Sequence, residues 1–329
     1  MKKFIQGIHH VTAIASDPQT NLDFYAGLLG LRFVKKTVNF DDPTAYHLYY
    51  GDTAGTPGSI VTFFTWVGGV TRGRVGSGQT TRLSFSAAPA ALASWRARLE
   101  ARGVAVTSRT RFGEDVLAFA DPDGIPVEIV AVAADPRRGW DGAGIPVDHA
   151  LRGLYTAELT VRDSAPTENL ITGEMGYRLV RRDGRRARFE AGAGGPGTYI
   201  DVIADPDGPT GLGGVGTIHH IAWRLADDDQ QRAVGEALAR GGFDVSPVRD
   251  RTYFRSIYYR ERGGILFEVA TDIPGFADDE ALESLGNELK LPRQFERARQ
   301  EIEKLLPPLQ PAKVLAETRN DVISTLQDS

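Results

Sequence analysis

The stretch Ile8-His9-His10-Val11-Thr12 returns near the other end of the chain as Ile218-His219-His220-Ile221-Ala222. Both stretches begin apolar runs rich in β-branched residues, which are typical of β-strands. Side chains alternate between the two faces of a strand, so only one histidine of each pair can face a given cavity. Burying a polar ring without partners costs about 1–3 kcal/mol. Two such pairs at equivalent positions of two similar segments therefore predict a common function for the histidines.

Further internal similarity divides the 329 residues into four units. The segment 25–36 resembles 171–182, and the segment 119–128 resembles 259–268. The similarity predicts four βαβββ units, each with an opening strand, a helix of about three turns and several short strands. The units lie near 7–67, 80–133, 152–204 and 216–271. The predicted fold class is therefore α+β.

The main domain boundary is predicted in residues 135–151, which are rich in proline, glycine and charge. This linker would separate a first domain, residues 1–134, from a second domain, residues 152–272, with two units in each. Residues 273–329 form a predicted tail. The tail is expected to be helical as far as Leu306, because the proline pair that follows cannot continue a helix.

Composition narrows the classes of function. A net charge of −5 argues against nucleic acid or an anionic membrane as the main partner. The chain has no cysteine, which excludes disulfides, zinc–thiolate sites, iron–sulfur clusters and a cysteine nucleophile. The N-terminus has no apolar run of signal-peptide length, and no segment reaches the roughly 18 apolar residues of a membrane span. We expect a cytoplasmic enzyme or binding protein, with the oligomeric state open and a homo-oligomer included.

A carboxylate completes the predicted site. Glu268 lies in the apolar run 265–270, where a charge is costly unless it is paired or binds a metal. Glu128 has the equivalent place in the second unit, so a structural turn residue is the alternative interpretation. The second unit lacks the histidine pair and the third has Thr156 in place of His10, so only units one and four can assemble the set. Two histidines and a carboxylate are typical of non-haem iron(II) oxygenases, although zinc accepts similar donors.

The segments 8–12, 218–222 and 267–272, together with the four βαβββ units, resemble the vicinal-oxygen-chelate superfamily. This superfamily includes glyoxalase I, bleomycin-resistance proteins and extradiol dioxygenases. The segment 249–259 and the tail segments within 291–309 are similar to its branch of ring-cleaving hydroquinone and catechol dioxygenases. The resemblance covers nearly the whole chain. It implies that the units pair into open β-barrels and that units one and four share one of them.

The resemblance also implies a metal centre. Its ligands are the second histidine of each pair and the glutamate, which are His10, His220 and Glu268 in this sequence. The implied metal is iron(II), with manganese(II) or zinc(II) as substitutes, and the implied co-substrate is O2. Five further residues are implied to act around the metal: His9, Thr12, His219, Arg251 and Tyr258.

Roles for four of these five residues follow from their chemistry. His9 and His219 are predicted to carry protons, or alternatively to orient the metal ligands. Tyr258 is predicted to hydrogen-bond a substrate oxygen and Arg251 to neutralise an oxyanion, unless the two form a structural pair.

Other residues of the first unit bear on the interpretation. Thr62 stands where a glyoxalase presents a fourth ligand, a glutamate, and this argues against a glyoxalase. His47 either lines the pocket or has a structural role. Phe63, Phe64 and Trp66 are predicted to belong to the core.

The predicted function is that of an iron(II)-dependent, extradiol-type dioxygenase that cleaves a hydroquinone or catechol. The alternatives are a glyoxalase-like metal-dependent isomerase or lyase and, third, a metal-free small-molecule binding or resistance protein. The substrate is expected to be a small aromatic diol. Its ring substituents stay open, as does the choice between aromatic hydrocarbon catabolism and quinone detoxification.

Overall fold

The computed structural model describes residues 5–66 and 70–314 and contains two curled, eight-stranded sheets with few helices. This α+β architecture confirms the predicted fold class. Within the described residues, the order of one strand, one helix and three strands occurs four times. Residue 67, the predicted end of the first unit, and the predicted tail beyond residue 314 lie outside the described residues.

The strands and helices begin and end close to the predicted unit boundaries. The first unit contains β1 (Ile8–Ala15), α1 (Pro18–Leu22), a π-helical turn (Asp23–Leu28), β2 (Arg32–Val38), β3 (Tyr46–Gly51) and β4 (Ile60–Thr65). The second contains β5 (Gln79–Ala87), a 3-10 turn (Pro89–Ala91), α2 (Leu92–Glu100), β6 (Thr107–Arg111), β7 (Glu114–Ala120) and β8 (Pro126–Ala131). The third contains β9 (Leu154–Val161), α3 (Ala165–Gly173), β10 (Arg178–Asp183), β11 (Arg186–Glu190) and β12 (Tyr199–Ala204). The fourth contains β13 (Thr217–Leu225), α4 (Asp228–Arg240), β14 (Arg249–Asp250), β15 (Arg255–Arg260) and β16 (Leu266–Thr271).

The units combine in pairs to form the sheets. Units one and four form sheet A, in the order β14-β15-β16-β13-β1-β4-β3-β2, and units two and three form sheet B, in the order β10-β11-β12-β9-β5-β8-β7-β6. Each unit's first strand pairs in parallel with its last strand, and the two units of a sheet meet through their antiparallel first strands. The predicted sharing of one sheet by units one and four is confirmed, and β1 and β13, which carry the histidine pairs, are neighbours.

The sheets do not coincide with the predicted domains 1–134 and 152–272, because each sheet takes one unit from either side of the linker. The division of the chain into these two domains stays a prediction. One continuous apolar cluster joins both sheets and includes Trp223 of sheet A and Phe85 of sheet B, both fully buried.

Local signals account for the helix that follows β1. The Asp17 side chain accepts a hydrogen bond of 2.7 Å from the Thr20 backbone N–H, as expected of a residue that begins a helix. Gly30 has a φ of 67° just before β2. This left-handed conformation favours glycine and lets the chain leave the helical stretch.

The tail is less helical than predicted. As far as residue 314, it contains three 3-10 turns and one α-helix: Phe276–Asp278, Leu282–Ser284, Arg293–Ala298 and α5 (Arg299–Leu305). The helix ends before the proline pair, as predicted. The preceding part is not helical because it lies along sheet A, where Leu289 forms a β-bridge with Lys36 of the edge strand β2. Among the described residues, no helix is long and apolar enough to cross a membrane.

Candidate metal centre and substrate pocket

Three polar side chains meet on one face of sheet A. The strand register brings them together, since β1 pairs Thr12 with His220 and β13 pairs Ala222 with Glu268. His10, His220 and Glu268 are all buried. His10 Nε2 lies 3.4 Å from His220 Nε2 and 3.5 Å from Glu268 Oε2, and His220 Nε2 lies 2.8 Å from the same oxygen. The structure thus brings the three predicted ligands together.

The three ligand atoms are arranged as around a cation. Metal bonds of about 2.0–2.2 Å at right angles place neighbouring donor atoms about 3 Å apart, and the observed separations are 2.8, 3.4 and 3.5 Å. Glu268 Oε2 is buried and accepts no hydrogen bond from the described residues, although His220 Nε2 is within reach. Such an oxygen is costly without a donor or a cation. The residues present therefore fit a metal ion.

Glu268 is held as an oriented anion. Burial acts to raise the pKa of this carboxyl, but the facing His10 and His220 outweigh burial and hold the pKa well below its usual range. Its other oxygen, Oε1, accepts a hydrogen bond from the Ser256 hydroxyl. Ser256 therefore fixes the carboxylate with one oxygen turned toward the histidines.

A chain of hydrogen bonds fixes the tautomer of His10. The Thr271 carbonyl can only accept, so His9 Nε2, which lies 3.1 Å away, carries a hydrogen. Burial and the adjacent His10 lower the pKa of His9 well below its usual value, so His9 is neutral and its Nδ1 accepts. His10 Nδ1 lies 2.9 Å from His9 Nδ1 and must be the donor. His10 Nε2 is thus left with a lone pair, as a metal ligand requires.

His219 repeats this contact with a difference in exposure. Its Nδ1 lies 2.8 Å from His220 Nδ1. Strand alternation predicts that the other histidine of each pair either faces elsewhere or lies at the strand edge behind the ligand. The His219 ring lies at the cavity rim, where its Nδ1 reaches the Nδ1 of His220, in line with the second alternative. The surrounding protein and the neighbouring His220 lower the pKa of His219, so it is neutral near pH 7.

A second polar chain borders the triad. The hydroxyls of Thr12 and Thr62 lie 2.8 Å apart, and Thr62 also lies 2.8 Å from His47 Nε2. His47 Nδ1 lies 2.9 Å from the Tyr49 hydroxyl. Burial lowers the pKa of His47 and raises that of Tyr49, so both are neutral. His47 lines the cavity. Thr12 is connected to the cavity through the hydrogen bonds that join it to Thr62 and Thr62 to His47.

Arg251 and Tyr258 lie beside the triad and contact each other. Tyr258 pairs with Glu268 across β15 and β16, and its ring centroid lies 5.9 Å from that of His220. Arg251 Nε donates to the Tyr258 hydroxyl at 3.2 Å, and Nη2 donates to Asp41 Oδ2 at 3.1 Å. Burial and Glu268 raise the pKa of Tyr258, so it stays protonated near pH 7. Because its oxygen accepts from Arg251, its hydrogen is available to a substrate oxygen.

The triad opens on a cavity of about 150 Å³. An apolar cavity of about this volume holds one benzene ring. Aromatic side chains form much of the wall: Phe40, Tyr49, Phe64, Trp66, Phe254 and Tyr258. The prediction that Phe64 and Trp66 belong to the core is wrong, because both side chains line the cavity at the end of β4. Phe63, on the other face of β4, is fully buried as predicted.

Six residues of the site were missed in the sequence: Asn39, Phe40, Asp41, Tyr49, Phe254 and Ser256. Ser256 precedes Tyr258 by two residues, so strand alternation places both on one face and could have identified it. The Phe254 ring lies 5.1 Å from the rings of His9 and His10. Phe254 and Asp41 lie in connecting segments, and no periodicity in the sequence marks their direction.

Glu128, the counterpart of Glu268, has a structural role. It is fully buried in sheet B, where Arg82 Nη1 donates to it at 2.9 Å and Arg111 donates through two nitrogens at 2.6 and 2.7 Å. Ser84 adds a hydrogen bond of 3.0 Å. Glu128 therefore has a structural role as the partner of two arginines within strand β8, and not as a residue that caps a turn.

The chain is similar to known proteins over most of its length. Residues 7–129 match the model of the glyoxalase/bleomycin resistance protein/dioxygenase superfamily. A Bacillus subtilis (strain 168) protein named as a ring-cleaving dioxygenase, MhqO, is 46% identical over 310 residues, which are 94% of this chain and 98% of the relative. The chlorohydroquinone/hydroquinone 1,2-dioxygenase of Sphingobium indicum is 34% identical over 91% of this chain and 95% of its own. A crystal structure of a Bacillus subtilis protein named as a dioxygenase has a TM-score of 0.91 and 45% identity, over 94% of this chain and 99% of that one.

Proposed function

Because the chain belongs to the glyoxalase/bleomycin resistance protein/dioxygenase superfamily, we propose that it is an iron(II)-dependent dioxygenase that cleaves the ring of a hydroquinone or catechol. One observation carries the proposal: the buried triangle of His10, His220 and Glu268 opens on a cavity the size of one aromatic ring. The relatives named as ring-cleaving dioxygenases support it. Cleavage is proposed between a hydroxyl-bearing carbon and an adjacent carbon that bears no hydroxyl group, which is the extradiol type for a catechol.

Iron(II) is the proposed metal, held by two imidazole nitrogens and one carboxylate oxygen. This donor set leaves positions for external ligands and is the one that non-haem iron(II) oxygenases use. When bound, iron(II) supplies Lewis acidity that lowers the pKa of a phenol and redox chemistry that activates O2. Zinc and manganese accept the same donors, so reconstitution with each metal decides between them.

The surrounding residues have separable roles in this proposal. Tyr258 donates its hydroxyl hydrogen to a substrate oxygen, and Arg251 holds Tyr258 in the orientation to do so. Both ring nitrogens of His9 are engaged, one with Thr271 and one with His10, so His9 orients the ligand. His219 has a ring nitrogen at the cavity rim and is the candidate proton carrier.

The proposed reaction balances without a further reductant. One ring carbon–carbon bond breaks, and both atoms of O2 enter the product, one at each broken end. The ring loses four electrons and O2 gains them. All hydrogens of the diol stay on the product until the new carboxyl group ionises.

Thr62 separates this proposal from a glyoxalase. A glyoxalase-like site would need a fourth protein ligand at this place, but the Thr62 hydroxyl lies 2.8 Å from both Thr12 and His47. It is thereby engaged in hydrogen bonds. The site therefore has three protein ligands, which leaves room for both O2 and a substrate oxygen.

Oxygen uptake by protein reconstituted with iron(II) under anaerobic conditions tests the proposal. Methylhydroquinone and catechol are added in turn, with zinc- and manganese-loaded protein as controls. We expect uptake of one O2 per diol that needs both iron and diol and is lost in His220→Ala. If protein with iron fully bound takes up no O2 with either diol, the proposal is wrong and isomerase activity on hemithioacetals is the next assay.

A further inference from the structure

We propose that Asp41 determines substrate specificity by neutralising Arg251, so that the cavity accepts diols with uncharged ring substituents and rejects rings that carry a carboxylate. This inference rests on the proposed function, since it concerns the same cavity. It assigns a role to Asp41, whose hydrogen bonds among the described residues go to Asn39 and Arg251 and to none of the three proposed metal ligands.

Few charged side chains line the cavity. Among the described residues of its wall, Arg251 is the one lysine or arginine. The carboxylates are Glu268, which faces the two histidine ligands, and Asp41. Apart from the proposed iron, a carboxylate on a bound ring would therefore depend on Arg251 for a cationic partner, because Arg pairs with carboxylates through its planar fork.

Arg251 is already engaged. Its Nη2 lies 3.1 Å from Asp41 Oδ2, its Nε donates to Tyr258, and its guanidinium lies 5.9 Å from the centre of the Phe40 ring. Asp41 and Phe40 are adjacent in the loop between β2 and β3, so one loop contacts the guanidinium both through charge and through an aromatic face. The Arg251 guanidinium, which could bind the carboxylate of a ring, is thus already paired with the carboxylate of Asp41.

The position of Asp41 is built into the loop. The Asp41 backbone N–H donates to Asn39 Oδ1 at 2.9 Å, and the Asn39 N–H donates to the Ala45 carbonyl at 2.9 Å. These bonds close the loop between β2 and β3 and direct Asp41 across the cavity mouth to Arg251 of unit four. The ion pair therefore joins the two units that form the site.

The exposure of the pair argues for selectivity rather than for stability. The Asp41 side chain is 68% exposed and that of Arg251 is 18% exposed. An ion pair this open to solvent adds little to the stability of a fold. A second carboxylate brought to Arg251 would lie beside Asp41, and repulsion over about 5 Å near a surface disfavours its binding by about tenfold.

The test compares two hydroquinones, methylhydroquinone and 2,5-dihydroxybenzoate, in the wild type and in Asp41→Asn. Each is measured by kcat/KM in iron-loaded protein and by anaerobic binding followed through tryptophan fluorescence, to which Trp66 in the cavity wall contributes. We expect Asp41→Asn to raise the preference for the carboxylated ring by about tenfold in both measurements. The gain should shrink between about 0.05 and about 0.5 M salt, because screening weakens exposed charges.

Asp42→Asn is the matched control. It removes the same charge from the neighbouring residue of the loop, but Asp42 accepts a hydrogen bond from Trp66 Nε1 and not from Arg251. We expect this variant to change the preference by less than about twofold. An equal gain in both variants would mean that general loop charge, and not the contact with Arg251, sets the preference, and would overturn the inference.

The outcomes separate the inference from the proposed function. If the wild type cleaves methylhydroquinone and Asp41→Asn leaves the preference unchanged, Asp41 is not the determinant and the dioxygenase proposal stands. If the wild type cleaves neither diol, the dioxygenase proposal is wrong, and the binding measurement still decides whether Asp41 excludes a carboxylate from the cavity.

Discussion

Arg82 occupies in sheet B the register position that His220 occupies in sheet A. Ser84 pairs with Glu128 across β5 and β8, as Ala222 pairs with Glu268 across β13 and β16, and Arg82 and His220 each lie two residues earlier. A permanent positive charge therefore balances Glu128, whereas Glu268 faces two imidazoles. A bound cation would supply that charge for Glu268, and this difference supports sheet A as the location of the proposed metal centre.

The two glutamates provide a matched pair for testing metal binding. We expect Glu268→Gln to weaken iron(II) binding by more than about 100-fold, because a ligand contributes more than the residues that orient it. Metal content after dialysis against a weak chelator, measured by inductively coupled plasma mass spectrometry, gives the result. Glu128→Gln should retain the metal, but should unfold more easily by about 3–5 kcal/mol, because Arg82 and Arg111 lose a buried partner.

If both variants lose the metal to the same extent, the loss reflects general damage to the sheets, and Glu268 would not be assigned as a ligand on this result.

His9 and His219 make equivalent contacts, but only His9 is buried. We expect His9→Leu to weaken iron(II) binding by about 10- to 100-fold, because His10 Nδ1 loses the acceptor that fixes its tautomer. His219→Leu should weaken binding less, because water at the exposed rim can replace the lost acceptor. Competition with a fluorescent chelator measures both affinities. A larger loss in His219→Leu than in His9→Leu would contradict the assignment of His9 as the orienting residue.

Tyr258 is expected to act on the substrate rather than on the fold. Removing its hydroxyl in Tyr258→Phe should lower kcat/KM for methylhydroquinone by about 10²-fold, because a donor aimed at a developing oxyanion is lost. Arg251→Lys should lower it less but in the same direction, since lysine cannot donate in the same planar geometry. The neighbouring Tyr259 is buried on the opposite face of the strand, so Tyr259→Phe is the control. Unchanged turnover in Tyr258→Phe and Arg251→Lys would leave the two as a structural pair.

The candidate metal ligands were predictable because regular strands carry them. Strand alternation and the repeated units relate one histidine of each pair and Glu268 to one sheet, and the resemblance to the superfamily selects His10 and His220. The role of Glu128 was left open, because the arginines that neutralise it come from different strands. Their approach depends on register and curvature, which the sequence pattern does not specify.

The rest of the site depends on tertiary contacts. Asp41 reaches the cavity only because the loop between β2 and β3 crosses to Arg251, which is 210 residues away in sequence. The tail also differs from its helical prediction, because packing on sheet A outweighs its intrinsic helix preference. The position of the His219 ring at the cavity rim depends on its contact with His220 Nδ1. Strand alternation describes the backbone direction and does not predict this contact.

Asp121 gives the stability a defined dependence on pH. Burial raises the pKa of this carboxyl to about 6 from a usual value of 3.8, although Ile125 and Asp123 donate backbone hydrogen bonds to it. The folded state therefore binds this proton more tightly than the unfolded state. As pH rises from about 3 to about 7, this group should lower the free energy of unfolding by about 3 kcal/mol. Urea unfolding across this range should show a more negative slope in the wild type than in Asp121→Asn, and equal slopes would contradict the assignment.

Lys35 anchors the tail on sheet A. Its side chain is fully buried, and Nζ donates to Asp279 Oδ1 and to Glu280 Oε2, both at 2.6 Å. Lys35→Met should lower the free energy of unfolding by about 3–5 kcal/mol, because Glu280 is left buried without its cation. The adjacent Lys36 also contacts the tail, but donates to the Asn287 carbonyl at an exposed site, so Lys36→Met should cost only about 0–1 kcal/mol. Urea unfolding measures both, with limited proteolysis to follow release of the tail. A similar cost in both variants would place the effect in strand β2 itself and would contradict the anchoring role of the buried ion pair.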